Sequence, residues 1–433
     1  MKMNLAAASA SLVTALLVVA GGAYAAEPEI DFNKPPTADH RISDRLLFGS
    51  DIVSSIEYMD DYDLDDKQDD HLLLVEPELR AVLSYTGDDG LRAFAELQLD
   101  GRAFLSKGSA NDEKSEAHVR VEQAYVDLTR FAGDYSLRIG RQSFEDSRSW
   151  WYDEKIDAIR LLWQRDTWFA SASAAREKAF ADDFAHEDTD EKKEFYILTA
   201  GYYADKRDQA TLFLIKKKDL DSRRHEDPLF VGIQRIGEMG SDLRYWLNAA
   251  AVRGESRRRR LRAYGVDTGM AWRLDAPWKP FVTAALAYGS GDDHLRDGVD
   301  GNFRQTDLQD NESRTFGITS FQYYGEVSDL ELSNLWIAHL GFGIRPADDT
   351  SIELNLFRYR QVDADDDLFD TDLEIDPDGE HKALGHEIDF VLAHRPNKKT
   401  KVSLLLGAFL PGDAFPDNAD PALLAKLKFG YRF

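Results

Sequence analysis

The stretch Leu423-Leu-Ala-Lys-Leu-Lys-Phe-Gly-Tyr-Arg-Phe433 reads as one amphipathic strand. Leu423, Ala425, Leu427, Phe429, Tyr431 and Phe433 alternate with Leu424, Lys426, Lys428, Gly430 and Arg432. Successive side chains of an extended strand point to opposite faces. One face is therefore apolar and ends in aromatic rings, and the other carries Lys426, Lys428 and Arg432. A strand on the surface of a soluble protein would look the same. Recurrence separates the two cases.

The same alternation returns in eighteen segments, from 44–60, 70–86, 90–105 and 116–131 through to 381–395, 399–410 and 421–433. The links between them alternate in length. Gly87–Asp89, Ala132–Asp134, Arg165–Asp166, Pro346–Asp349 and Pro396–Lys398 are short, whereas 61–69, 106–115, 145–154, 178–192, 290–331 and 363–380 are long. An even strand count with this rhythm predicts an all-β fold: a closed antiparallel transmembrane β-barrel with short periplasmic turns and long extracellular loops. Lipid enforces the closure, because an open sheet edge would leave backbone groups unpaired at membrane depth. Eighteen strands enclose a lumen too wide for wall side chains to fill. A pore follows unless a loop plugs it, and Ser290–Leu330 on the outer side is long enough to fold inward.

The start of the chain agrees with an exported barrel. Lys2 precedes a short apolar run, Leu12–Ala20, and the small-x-small pattern Ala23-Tyr24-Ala25. We read 1–25 as a cleaved secretory signal, 26–43 as a periplasmic N-terminal segment and 44–433 as the barrel. The expected location is the outer membrane of a Gram-negative cell. There are no cysteines, and the net charge is −26.

Strand parity assigns a lumen. Arg80 follows Glu76 and Glu78 on the inner face of its strand. Arg92, Glu96, Gln98, Asp100 and Arg102 face inward opposite Leu97 and Leu99. His118, Arg120 and Glu122 face inward opposite Val119, Val121 and Tyr125. Asp267 and Arg273 face inward opposite Tyr264, Val266, Met270 and Trp272. Ser351, Glu353 and Asn355 face inward, and Arg358 and Arg360 take the other parity. Such a lumen holds both signs of charge and is rich in arginine. Ladders of arginine and glutamate brace any wide barrel. Arginine also grips carboxylates through a bidentate fork, and intervening acids keep an anionic permeant from binding too tightly to leave.

The acids that set the net charge cluster in loops. Asp60–Asp70 holds seven aspartates, and Val362–Glu380 holds ten acidic residues and no basic one. The second cluster offers a calcium ion the carboxylates of Asp363, Asp365, Asp366 and Asp367, although the spacing matches no defined loop motif. No other cofactor is expected.

One stretch goes beyond architecture. Leu137-Arg-Ile-Gly-Arg-Gln142 is followed by Trp150-Trp-Tyr-Asp-Glu-Lys-Ile-Asp157-Ala-Ile-Arg160-Leu161, with Gln123-Ala-Tyr-Val126 just upstream. This combination resembles the alginate-export family of outer-membrane barrels. The resemblance implies an eighteen-stranded channel that passes an acidic polysaccharide outward through an arginine-lined constriction. By position it nominates Arg138 or Arg141, Asp157 and Arg160, with Arg80 and Arg120 from neighbouring strands. Parity raises a conflict: Arg138 and Arg141 fall on opposite faces, as do Asp157 and Arg160. A bulge at Gly140 would resolve the first pair, and nothing so plain serves the second. Every periplasmic turn is short, unlike the longer turn that can close the mouth in the family. Gating and the identity of the permeant stay open.

Other function classes find less support. No Gly-x-Ser-x-Gly elbow is present, and His118, His339, His386 and His394 are scattered along the chain, so no catalytic constellation is expected. A receptor or adhesin would rest on the Ser290–Leu330 loop, which is polar and carries Phe303, Phe316, Phe321, Tyr323 and Tyr324 as anchors. A general or uptake porin for small anions shares the whole pattern and remains the alternative. Arg257–Arg260 suits anion capture at the rim or contact with lipopolysaccharide phosphate. The expected partners are outer-membrane lipid, lipopolysaccharide, the barrel-assembly machinery and periplasmic export components; nucleic acid is not among them.

Overall fold

Alternation over eighteen segments produces eighteen long strands, each antiparallel to its neighbours in sequence. The computed structural model describes residues 31–65, 67–109, 113–180, 183, 193–205, 207–220, 226–256, 258–294, 296–365 and 368–433. The segment 1–25 lies outside the described residues. The first strands are β1 (Leu46–Asp60), β2 (Leu72–Thr86), β3 (Leu91–Lys107), β4 (Glu116–Ala132), β5 (Tyr135–Glu145) and β6 (Asp153–Arg165). Then come β7 (Trp168–Arg176), β8 (Lys193–Asp205), β9 (Asp208–Asp219), β10 (Leu229–Met239), β11 (Leu243–Ser256) and β12 (Arg259–Arg273). The last six are β13 (Phe281–Gly289), β14 (Leu335–Ala347), β15 (Thr350–Gln361), β16 (Ala383–Asn397), β17 (Thr400–Pro411) and β18 (Ala422–Arg432). Pairing of β1 with β18, from Asp51↔Arg432 to Asp60↔Leu423, closes the barrel.

The wall is inverted relative to a soluble protein, as a lipid solvent requires. Leu212 and Leu286 are 60% and 53% exposed, whereas Asp51 and Glu96 are fully buried. Aromatic rings mark both interfaces. Tyr264, Tyr288 and Trp336 touch in series toward the loop end, and Trp168 packs on Tyr202 beside the turns. The turn between β12 and β13, which alternation places at Asp275–Pro277, runs over 274–280, because β13 begins only at Phe281.

Two stretches leave the wall and fill the lumen. The first is the upper half of the β5–β6 hairpin. Its two strands stay in unbroken register from Tyr135↔Trp163 to Glu145↔Asp153. The ladder between β4 and β5, however, ends at Ala124↔Arg141. Beyond that point the hairpin bends inside. Its tip stacks Trp151 on Phe213 at 4.5 Å between ring centroids, and Asp146 accepts a 2.6 Å hydrogen bond from Gln234 of β10. Asp183 takes its place beside β4, bridging to Arg120.

The second stretch is the 290–334 loop, which folds inward as its length allowed. Phe303, Phe316, Phe321, Tyr323 and Tyr324 are buried. The loop and the hairpin tip are knitted together. Trp150 Nε1 donates to the Tyr324 hydroxyl at 2.9 Å, Gln305 donates to the Trp150 carbonyl, and Asn311 N–H donates to the Ser149 carbonyl. On the wall side, Glu387 of β16 accepts from the Val327 and Ser328 amides.

A third piece enters from the end that holds the turns. Phe32 is buried against Gly430 and beneath the Arg432 guanidinium. Asn33 donates to Glu312 and Ser320, and Lys34 pairs with Glu145 at 2.8 Å. The segment after residue 30 thus reaches up to both parts of the plug.

Candidate functional site

What remains of the lumen is bounded on one side by the plug and on the other by six neighbouring strands, β17, β18 and β1 to β4. Register arranges their inward charges in rows. One row reads Arg432, Asp51, Arg80, Gln98 and Arg120 across five strands. A second sets Lys428 beside Ser55 and Glu76, and a third sets Lys426 beside Glu57.

Most of these cations are matched to an acid. Arg80 forks onto Asp51 through Nε and Nη2 at 2.9 and 3.1 Å, and Arg432 reaches the same carboxylate at 3.0 Å. Arg102 donates to Glu76 at 3.0 Å, Lys426 pairs with Glu57 at 2.8 Å, and Arg120 lies 3.3 Å from Asp100. The inserted hairpin adds Lys155, which reaches across to Glu122 at 2.5 Å. Glu96 accepts from Gln123 at 2.9 Å.

Two cations are not matched. Lys401 and Lys428 line a cavity of about 160 Å³ together with Lys426, Glu312, Glu326 and Asn33. Neither ammonium has an ion pair or hydrogen bond among the described residues. A larger cavity, about 590 Å³, lies where the hairpin leaves β4 and is lined by Arg120, Glu122, Arg141 and Lys155. The wall is thus a ladder of compensated charges with free ammonium groups beside the plug.

A family model described as alginate export matches residues 44–424, nearly the whole barrel. The chain belongs to the alginate-export family. The alginate production protein AlgE of Pseudomonas aeruginosa is 26% identical over 389 residues, covering 77% of this chain and 78% of that protein. Its counterpart in Azotobacter vinelandii is 30% identical over 183 residues, 36% of each chain. The solved structure of OccK7 (OpdD) from P. aeruginosa covers 89% of this chain and 99% of its own at a TM-score of 0.58. At 13% identity that likeness speaks for the fold alone. This member of the alginate-export family is an outer-membrane β-barrel.

Of the site residues expected from sequence, Arg80, Glu96, Arg102, Arg120, Glu122, Lys426, Lys428 and Arg432 gather on the charged wall of this alginate-export barrel. Others stand apart. Arg92 is exposed near the turn end of β3. Arg273 donates to Asp242 and the Ser241 carbonyl, also at the turn end. Asp267 is buried under the plug, accepting from Trp246 and Asn248 and lying 3.5 Å from Arg148.

The family motif behaves differently from its expected geometry. Arg138 donates to Asp127 and sits 4.2 Å over the Tyr125 ring, so Tyr125 faces the lumen and not lipid as expected. The reason is a register shift at Glu96/Leu97 that leaves Glu122 as an extra residue and reverses the parity after it. No bulge occurs at Gly140. This glycine instead has φ +126°, and a Cβ there would lie 2.2 Å from the Ala124 carbonyl oxygen, just where the ladder to β4 ends. Because the hairpin turns inward, the face of β5 and β6 that carries Arg141 and Asp157 is covered by protein. The two residues pair at 2.9 Å, and the Phe180 carbonyl and amide complete their bonding. Arg160 lies over Phe144.

Lys155, Lys401 and Asp51 also line the wall and are not among the residues expected from sequence. Lys155 stands inside the quoted motif, but its direction depends on a bend that no local pattern announces. Lys401 follows from alternation in 399–410 and was open to reading.

The plug loop holds acids that are short of water. Burial pushes Glu326 up to about 8, aided by nearby Glu312, and lifts Glu331 to about 8 and Asp329 to about 7. As for a cation, Asp366 and Asp367 lie outside the described residues, and the Asp365 amide turns toward Asp363. Among the described residues, the carboxylates close enough to share an ion are those of Asp60, Asp61 and Asp70 in the first outer loop.

Proposed function

We propose that this barrel is a passive, anion-selective conduit for an alginate-like polyuronate, which crosses along the charged wall between β17 and β4 and undergoes no chemistry there. The observation that carries the reading is the pair of unmatched ammonium groups, Lys401 and Lys428, beside a ladder of mutually paired charges. A uronate carboxylate meets a free donor at these points. Elsewhere it can exchange with a wall acid for Arg102, Arg120 or Lys155, so no single grip is strong enough to hold it. The kinship with proteins named for alginate production supports the substrate class.

The cavities left beside the plug, about 590 and 160 Å³, favour a second reading, an uptake porin for small anions, unless the plug moves. Reversal potential in a planar bilayer across a salt gradient, followed by addition of oligouronates, tests both. Anion selectivity with uronate block supports the polyuronate conduit. Anion selectivity without block supports the small-anion porin, and cation selectivity overturns both.

A further inference from the structure

The lipid-facing surface carries charges that the conduit does not use. On β15 the outward face reads Ile352, Leu354, Leu356, Arg358 and Arg360. Arg358 and Arg360 are both exposed, since the parity toward the lumen belongs to the buried Phe357 and Tyr359. Neither guanidinium has an ion pair or hydrogen bond among the described residues. Their cross-strand neighbours are also outward: Arg360 lies opposite Trp336, and Arg358 lies between Ala338 of β14 and His386 of β16. Trp336 belongs to the outer aromatic row with Tyr288, so these cations sit at the level where outer-leaflet headgroups meet the barrel.

Directly beside them the wall is hollow. Ala284 and Ala338 stand among Met270, Leu286, Leu340 and Leu356, and the short side chains leave a depression of about 600 Å³ that also takes in Arg358 and His386. An apolar trough with Arg358 at its edge and Arg360 two residues further out on the same face fits a molecule with an acyl chain and an anionic head. Guanidinium prefers phosphate oxygens, which accept its fork in two parallel bonds.

We propose that Arg358 and Arg360, with the trough beside them, form a binding site for a phosphorylated acyl glycolipid of the outer leaflet, of the lipid A type. One phosphate takes the two guanidinium forks, and one acyl chain lies over Ala284 and Ala338. The site is separate from the pore, so its loss leaves conduction unchanged.

Native mass spectrometry of the full-length protein in detergent, titrated with bisphosphorylated lipid A, measures the occupancy. The R358A/R360A double variant is expected to bind about tenfold more weakly, the loss of a charge-assisted contact. Filling the trough with A338L is expected to weaken binding while leaving both arginines in place. Heat-modifiable migration on gels checks that each variant is a folded barrel. Equal affinity of wild type and both variants for lipid A overturns the site. Equal affinity of the wild type for lipid A and phosphatidylglycerol overturns the glycolipid assignment, because any anionic lipid would then do.

Discussion

Among the described residues, Lys401 and Lys428 form no ion pair, unlike Arg80, Arg102, Arg120, Lys426 and Arg432 on the same wall. Replacing both with alanine should therefore reduce block by oligouronates by about tenfold, a loss equivalent to one charge-assisted contact. Single-channel current in the presence of oligouronates measures it, and unchanged block removes these residues from the pathway. Arg80 is a different kind of residue. Its fork on Asp51 is buried on both sides, so Arg80→Ala leaves the Asp51 carboxylate with Arg432 as its one remaining cation. Leaving a buried charge uncompensated costs about 3–5 kcal/mol; with Arg432 still in place the loss is smaller than that, and the urea midpoint of the purified barrel should fall. A midpoint unchanged in Arg80→Ala would mean that Arg432 alone satisfies Asp51. Selectivity thus depends on unmatched charges, and wall strength on matched ones.

The inserted elements respond to pH as units. Glu326, Asp329 and Glu331 sit in the plug loop with carboxyl groups held above their ordinary range by burial. Their contribution to docking is complete below about pH 4, where the released loop would be protonated too. It is lost as pH rises through about 7 and 8, where the docked acids must ionise. Conductance should therefore increase between pH 5 and pH 9, along with cleavage of the 290–334 loop by added protease. A plug equally resistant at both ends of that range would show that these acids do not govern it. At the hairpin, Gly140→Val should push the turning point against the Ala124 carbonyl and release Lys155 from Glu122, read as a change in selectivity with the barrel still heat-modifiable. These elements also mark the limit of what the sequence made legible. Parity placed Arg80, Glu96, Arg120 and Lys428 because it is a local property of extended backbone. It failed at Tyr125, where one extra residue reverses the faces, and at Arg141 and Asp157, where a whole hairpin leaves the wall. Both failures arise in pairing between strands, which a single strand does not encode.

At the scale of the whole molecule, strand number, sidedness and closure were all readable, since lipid leaves a chain of this pattern no other solution. The division of the lumen into plug and charged strip was not. It depends on how Trp151 meets Phe213 and how Glu387 meets the 327–328 amides, contacts between stretches far apart in sequence. Removing residues 303–330 should raise conductance several-fold without unfolding the wall, because the ladders of β13 and β14 close on each other independently of the loop. A bilayer recording of that deletion tests the plug directly. The triad at the seam has a consequence in time. Asp51 belongs to the first strand made and Arg432 to the last, while Arg80 is already present from the second. During assembly the carboxylate waits with one guanidinium until the final strand arrives with the other. A nascent barrel can therefore distinguish a correct finish from a slipped one by charge: a β18 displaced by one residue presents Tyr431 or Phe433 to Asp51, and the seam stays electrostatically unfinished.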